Sequence, residues 1–153
     1  MLATLLQAGM EATILVVVLV VVGLASPLML LAVPILLLLA LFGFGVGLLF
    51  GLANVYYRDV GYLVGIGLNL LFYATPIIYP FEIVPEKVGP FPAQTLITLN
   101  PLTQFVGAIR DVTYLQVVPS AARIAGIVLA TVVSLVVGWS VFNRYAPDMS
   151  EEL

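Results

Sequence analysis

The sequence predicts an all-α integral membrane protein, with about four transmembrane helices and a re-entrant or interfacial helical hairpin before the last span. The prediction depends on composition, on the lengths of the uncharged runs and on the positions of prolines. Of the 153 residues, 63% are hydrophobic and 8% are charged, and the mean hydropathy is +1.22. Soluble domains carry about 25% charged residues. So few charges cannot cover a water-facing surface, and lipid is therefore the expected solvent.

The uncharged runs have the lengths of membrane spans, because about 20 helical residues cross a hydrocarbon core of about 30 Å. The run 12–57 holds 46 residues and one turn signal, Gly-Leu-Ala-Ser-Pro, which divides it into two helices. Runs of 22 residues at 60–81 and 20 residues at 124–143 add one helix each. The predicted spans of this single transmembrane domain are 4–24, 28–54, 61–80 and 121–143.

The uncharged stretch 88–109 is not a fifth span, because three prolines break it. They are Pro90, Pro92 and Pro101. The pieces 93–99 and 102–109 are each about 10 to 12 Å long as helices, which is too short to cross. Asn100 is expected to cap the second helix. We therefore expect a re-entrant or interfacial hairpin over about 88–112, covered by protein or by a water-filled cavity.

Charge and side-chain chemistry exclude several functions. The net charge of −3 is small and scattered, so no nucleic-acid partner is expected. Histidine and cysteine are absent from the sequence, so no disulfide and no metal site are predicted. The sole lysine, Lys87, lacks the glycine-rich loop of a nucleotide site, and no catalytic residue or cofactor is predicted. Glu82, Glu86 and Asp111 are interpreted as loop carboxylates in water rather than as an acidic catalytic group.

The basic residues do not give the orientation. Four spans put Arg58 and Arg144 on one side of the membrane and the other three basic residues on the other side, so the positive-inside rule does not decide. The opening residues lack a basic segment, and we expect the hydrophobic segments to stay in the mature protein. Glu11 lies inside the first predicted span, where a carboxylate is expected to face protein or water rather than lipid.

Glycines recur in helical register in the second and third predicted spans. They are Gly43, Gly47, Gly51, Gly61 and Gly65. At such positions another helix can approach closely. Two interpretations stay open, one with helix packing inside the chain and one with the seam of a dimer.

Four motifs occur in an order that resembles a known family. They are Tyr57-Arg58-Asp59, Thr75-Pro76-Ile77-Ile78-Tyr79-Pro80, Asn100-Pro101-Leu102-Thr103 followed by Arg110, and the closing segment FNRYAPDMSEEL. Together they resemble the carboxyl-terminal half of the type-2 ABC permeases that export polysaccharides, teichoic acids and O-antigen-type glycans. The resemblance covers roughly residues 4–153. Family members carry two further spans and a coupling helix at the front, so the chain is expected to be the carboxyl-terminal part of a six-span permease.

The resemblance implies a membrane subunit of an ABC exporter, without an ATPase site of its own, that moves lipid-linked polysaccharide or a similar glycan across the bacterial cytoplasmic membrane. It implies a homodimer with a separate cytoplasmic ATPase subunit, which binds ATP and docks on Tyr57, Arg58 and Asp59. Both chain ends are then cytoplasmic and the hairpin is outside. Asp59 is also expected to cap the next helix. A permease for a drug, lipid or other small molecule, and a non-transporting truncated scaffold, stay open as alternatives.

Aromatic and polar residues around the hairpin are candidates for a glycan conduit or gate. They are Tyr73, Tyr79, Asn100, Gln104 and Arg110. Aromatic faces stack on the apolar faces of sugar rings, and the polar side chains can contact hydroxyl groups. An aromatic belt at the headgroup level is an alternative explanation for the two tyrosines.

Overall fold

The structure is a computed structural model, and it describes residues 2–23, 26–57 and 59–146. Along these residues the secondary structure is helical, and no β strand occurs among them. The helices are α1 (Leu2–Val21), α2 (Ala32–Tyr56), α3 (Val60–Tyr73), α4 (Ala93–Leu99), α5 (Pro101–Arg110) and α6 (Ala121–Tyr145). The prediction of an all-α protein is confirmed.

Two helical stretches of the described residues are long and apolar enough to cross a membrane. They are Pro27–Tyr56 and Ala121–Tyr145. The first combines α2 with a preceding 3₁₀ turn, Pro27–Leu31, whose start is capped by the side chain of Ser26. Gly9–Val21 and α3 are shorter apolar stretches. The count of four spans stays a prediction.

Helices α2 and α6 pack side by side and run in the same direction. Near their middle, the Ser134 hydroxyl donates a hydrogen bond to the carbonyl oxygen of Phe42, at 2.8 Å. At their ends, the Tyr56 hydroxyl donates to the carbonyl oxygen of Tyr145, at 3.3 Å. The contact positions rise together along both helices, so α2 and α6 are parallel. The chain between them must therefore return once to the end at which α2 begins.

Glycines at the middle of this pair let the two backbones touch. A Cβ added at Gly45 would lie 2.5 Å from the main-chain carbon of Ser134. One added at Gly138 would lie 3.0 Å from the carbonyl carbon of Gly45 and closer still to its oxygen. Neither position has room for a side chain while the helices keep this distance. Such small-residue contacts are typical of helix pairs in membranes.

The glycines that the sequence singled out lie elsewhere. A Cβ added at Gly43, Gly47, Gly51 or Gly65 would meet no atom within 4 Å, and one added at Gly61 would approach the Asn54 side chain at 3.2 Å. Within the described residues, the close packing is therefore at Gly45 and Gly138. The faces that carry Gly43, Gly47 and Gly51 are open to a further helix.

The buried core lies where α5 packs against the first halves of α2 and α6. Its buried members are Ile35, Phe105, Ala108, Val112 and Ile127. The rings of Phe42 and Phe105 add a tilted contact, with 5.7 Å between centroids. In lipid, helix association gains little from the transfer of apolar groups out of water, so these interlocking contacts stabilise by close packing.

The two short helices predicted at 93–99 and 102–109 are confirmed as α4 and α5. Pro101, at the tip of the hairpin, lines an apolar groove of about 370 Å³ together with Val46 and Leu49 of α2. Val112, just beyond α5, instead belongs to the core near the start of α2. Helix α5 therefore runs antiparallel to α2, and the hairpin tip lies beside the middle of α2. Entry of the hairpin into a leaflet stays a prediction.

Helix α3 is shorter than the predicted span 61–80, because it ends at Tyr73. Proline at position 76 has no N–H group and disfavours helical backbone at Thr75, so the helix cannot continue through this point. The 14 residues of α3 reach about 21 Å, which is less than the thickness of a hydrocarbon core of about 30 Å. Irregular backbone with a short 3₁₀ turn at Phe81–Ile83 leads from α3 towards α4.

Candidate functional site

Asn100 uses one polar atom of its amide to cap α5 and the other to join the hairpin to the segment that follows α3. Its Oδ1 accepts a hydrogen bond from the backbone N–H of Leu102 at 3.0 Å, so it caps α5 as predicted, with Pro101 at the first helical position. Its Nδ2 donates to Thr75 Oγ1 at 3.0 Å. Thr75 is 1% exposed, and its hydroxyl donates to the carbonyl oxygen of Leu71 at 2.7 Å.

Arg110 reaches the same segment from the other end of α5. Its Nη2 donates to the carbonyl oxygen of Pro76 at 3.0 Å and, at 3.5 Å, to that of Ile77. Carbonyl groups just beyond a helix lack helical partners, and a guanidinium group can supply several donors to them. The contacts of Asn100 with Thr75 and of Arg110 with Pro76 and Ile77 are together named the α3 clasp.

The other three candidate conduit residues take part in hydrogen bonds to the backbone. Gln104 Nε2 donates to the carbonyl oxygen of Thr98 at 2.6 Å, which ties α5 to α4. The Tyr79 hydroxyl donates to the carbonyl oxygen of Tyr73 at 2.9 Å, and the Tyr73 side chain itself is exposed. Side chains therefore bond carbonyl groups at the last residue of α3, near the end of α4 and, through Arg110, in the irregular backbone after α3.

Helices α3 and α5 both pack against α2, with α3 at the end of α2 that carries Tyr56 and α5 at the end where α2 begins. Helix α3 reaches about 21 Å and α5, with 10 residues, about 15 Å. Helix α2, with 25 residues, reaches about 37 Å, close to the two together. The Asn100–Thr75 contact joins the segment after α3 to the hairpin tip, and the lengths of the two short helices together match that of α2. A third span at 61–80 stays a prediction.

The expectation that Asp111 is a loop carboxylate in water is wrong. Asp111 follows α5 in a π-helical turn, Asp111–Leu115, is 9% exposed, and forms an ion pair with Arg123 of α6. The Arg123 guanidinium lies over Gly107, where an added Cβ would come within 3.1 Å of Cζ. The sequence offered one sign of this pair that was not used: Asp111 and Arg123 carry opposite charges and lie 12 residues apart in a mostly apolar stretch. The pair fixes the far end of the hairpin to α6.

The turn between α2 and α3 is exposed at Tyr57 and Asp59, and Arg58 lies outside the described residues. Asp59 is at the N-cap position of α3, but its backbone is helical and its side chain makes no cap hydrogen bond. The predicted cap is therefore wrong. The Asn54 Oδ1 atom instead accepts a hydrogen bond from the N–H of Gly61 at 2.9 Å, so the last turn of α2 caps α3.

Acidic side chains are scattered over the part of the chain that the structure describes. Within it, no three His, Cys, Asp or Glu side chains are grouped so that they could hold a metal ion. Glu11 accepts a hydrogen bond from Gln7 at 3.0 Å within α1, and Glu86 is exposed. The side chain of Glu82 lies outside the description.

Comparisons with known proteins agree on one family. The family model described as ABC-2 type transporter matches residues 1–114. The O-antigen export system permease protein RfbA of Klebsiella pneumoniae is 32% identical over 113 residues, which are 74% of this chain and 41% of that protein. A second Klebsiella pneumoniae RfbA is 29% identical over 113 residues, with the same coverage. RfbA of Myxococcus xanthus is 25% identical over 100 residues, which are 65% of this chain and 37% of that protein.

The chain spans about two fifths of the length of the relatives it matches. The family match includes the turn at 57–59, the α3 clasp and helices α1 to α5. Members of this family are integral membrane proteins that serve as the membrane subunits of transporters and are not enzymes themselves. The resemblance found in the motifs is confirmed: the chain belongs to the ABC-2 type transporter family.

Proposed function

We propose that the chain acts in the permease subunit of an ABC exporter that moves a lipid-linked, O-antigen-type glycan across the bacterial cytoplasmic membrane. The observation that carries this proposal is the 32% identity over 113 residues to an O-antigen export permease. The family match, over residues 1–114, includes helices α1 to α5 and both motif regions that define the α3 clasp. In this proposal the substrate is a polyprenyl-diphosphate-linked glycan, and movement is from the cytoplasm outward.

ATP is bound and hydrolysed by a separate cytoplasmic subunit, which docks on Tyr57, Arg58 and Asp59. Two features support this docking position. The side chains of Tyr57 and Asp59 are exposed, and the turn directly joins α2 to α3. Movement of the ATPase subunit at this turn would therefore displace the end of α2 and the start of α3 together. The turn and both chain ends are placed on the cytoplasmic side, and the hairpin is placed on the outer side.

A second copy of the permease completes the transport path in this proposal. The open glycine face of α2, which includes Gly43, Gly47 and Gly51, supports close approach by another helix. Tyr73 and Tyr79 offer aromatic surface to sugar rings at the end of α3. Asn100, Gln104 and Arg110 hold the backbone that shapes the conduit, and they present polar groups at its edge.

The docking proposal is tested in cells that make the permease together with its ATPase subunit. The double variant Arg58→Ala, Asp59→Ala should lose both co-purification with the ATPase subunit and delivery of glycan to the cell surface. The loss should be about tenfold or more, because removing charges from a desolvated contact costs at least about 1.4 kcal/mol. Val118→Ala, an exposed change at the other end of the molecule, is the matched control. Unchanged co-purification and export would remove the docking assignment.

The nature of the substrate needs its own test. Depletion of the permease should cause polyprenyl-diphosphate-linked glycan to accumulate on the cytoplasmic face, where lectin binding to inside-out vesicles detects it. Normal surface glycan after depletion, with increased retention of an apolar dye, would instead indicate a small-molecule permease.

A further inference from the structure

We propose that Thr75, Asn100 and Arg110 are positioning residues, which transmit movement of α3 to the α4–α5 hairpin through the α3 clasp. The inference depends on the proposed function, because the ATPase subunit is taken to act at the 57–59 turn. It assigns to the Thr-Pro and Asn-Pro motifs a mechanical role that differs from lining the conduit.

Helix α3 is held at its two ends and is loosely packed between them. At its start, Asn54 of α2 accepts a hydrogen bond from the N–H of Gly61. At its end, the buried Thr75 hydroxyl and the carbonyl of Pro76 are bonded by Asn100 and Arg110. No residue of α3 itself is buried. Helix α3 is a continuous α-helix without proline, and we expect displacement of its start to be carried to its end.

In this proposal the α4–α5 hairpin rotates about its far end, at Asp111, when its tip, at Asn100 and Pro101, moves. At the far end, the Asp111–Arg123 ion pair ties the hairpin to α6. The π-helical turn that follows α5 ends at Gln116, whose φ of 53° is left-handed. Pro101 at the tip lies against an open groove. Irregular helical turns of this kind are common hinge positions. The Asn100–Thr75 contact lies at the tip, so displacement of α3 through this contact acts far from the hinge. The Arg110 contacts with Pro76 and Ile77 lie beside the hinge and hold the segment after α3 there.

Four variants separate the clasp from ordinary structural roles. Thr75→Val removes the hydroxyl and keeps the branched shape, whereas Thr75→Ser keeps the hydroxyl. Asn100→Asp keeps an oxygen that can cap α5 but loses the Nδ2 donor to Thr75. Thr103→Val is the matched control, because the Thr103 hydroxyl is buried without a hydrogen-bond partner among the described residues.

The experiment uses the complete permease with its ATPase subunit in lipid nanodiscs. Hydrogen–deuterium exchange is measured at 59–65 and at 93–110, with and without Mg-ATP and vanadate. In the wild type we expect nucleotide to change exchange in both segments. Thr75→Ser and Thr103→Val should keep both changes. In Thr75→Val and Asn100→Asp the change at 93–110 should fall by about two- to tenfold, the factor for one lost hydrogen bond, while the change at 59–65 remains.

A purely structural effect would alter exchange at the hairpin equally with and without nucleotide, and this result would overturn the inference. Full nucleotide response of the hairpin in Thr75→Val and Asn100→Asp would overturn it as well. In both cases the proposed function would stand. If the wild type shows no nucleotide response at 59–65, the proposed function itself fails. If Thr75→Val does not fold, the same exchange measurement on Asn100→Asp and Arg110→Gln tests the inference, since neither variant changes the buried Thr75 side chain.

Discussion

At the scale of single residues, Gly138 is a position at which one added methyl group would meet the backbone of the neighbouring helix. Its Cα hydrogen faces the backbone of Gly45, and an added Cβ would lie 3.0 Å from the Gly45 carbonyl carbon. Gly138→Ala should push α6 away from α2 and reduce the free energy of unfolding by about 1 to 3 kcal/mol. Unfolding by sodium dodecyl sulfate, followed by far-ultraviolet circular dichroism in mild detergent, measures this loss.

Gly47→Ala is the matched control for that prediction. An added Cβ at Gly47 meets no atom within 4 Å, and alanine favours helix over glycine by about 1 kcal/mol. Its stability in detergent should therefore be equal to or above that of the wild type. Equal destabilisation by both alanines would contradict the α2–α6 contact described above.

Asp111 is the second residue for which the structure makes a definite prediction. Asp111→Asn leaves the partly buried Arg123 without its counter-charge. We expect a loss of about 1 to 3 kcal/mol in the free energy of unfolding, since removing one member of a buried pair leaves an uncompensated charge. Glu86→Gln, at an exposed carboxylate, should change stability little.

A double variant checks the cause of the Asp111 effect. Asp111→Asn combined with Arg123→Gln removes both charges and should recover part of the lost stability. If the double variant is less stable than Asp111→Asn by the full effect of the Arg123 change, the two side chains do not act as a pair.

At the scale of elements, two residues can be compared as the cap of α3, Asn54 from the structure and Asp59 from the sequence. Asn54→Ala removes the acceptor for the Gly61 N–H and should destabilise the first turn of α3 by about 1 kcal/mol. Asp59→Ala should leave that turn unchanged, because the Asp59 side chain makes no cap hydrogen bond. Hydrogen exchange of the Gly61 amide measures both effects. Faster exchange in Asp59→Ala than in Asn54→Ala would restore the assignment made from sequence.

The helices of the hairpin could be predicted from sequence because their signals are local. Prolines set their limits, and the Asn-Pro pair marks the start of α5, so the predicted 93–99 matches α4 at both ends. Helix α3 was predicted too long because the uncharged run continues past it. The uncharged run gives no sign of where the helix ends, whereas Pro76 disfavours helical backbone at Thr75 and so limits α3.

The α3 clasp could not be predicted, because it joins residues 25 and 34 positions apart through backbone carbonyls and one hydroxyl. The sequence identified Asn100 and Arg110 as polar residues of interest but contains no signal that pairs them with 75–77. The same holds for the glycines. Helix α2 carries Gly43, Gly47 and Gly51 on one face and Gly45 on another, and only the packed structure shows that Gly45 meets α6.

At the scale of the whole molecule, the parallel packing of α2 and α6 restricts how the chain can cross a membrane. Both helices begin at the end where α5 forms the core, so an odd number of crossings must separate them. Helix α3 with the segment after it makes one return. If the hairpin crossed as well, the number would be even and α6 would have to run antiparallel to α2.

Cysteine labelling tests this arrangement directly, and the natural sequence contains no cysteine to interfere. Single cysteines at 87 and 115 should react with a membrane-impermeant maleimide from one side of the membrane, and a cysteine at 57 should react from the other side. A cysteine at Leu99, which is exposed in the chain beside the hairpin tip, should be protected by lipid or by partner helices if the hairpin enters the bilayer. Labelling of 87 and 115 from opposite sides would require a crossing through α4 and α5. The parallel α2–α6 pair and the hairpin would then both be wrong, because the contacts between Phe42 and Ser134 and between Phe42 and Phe105 place all three helices in one bundle.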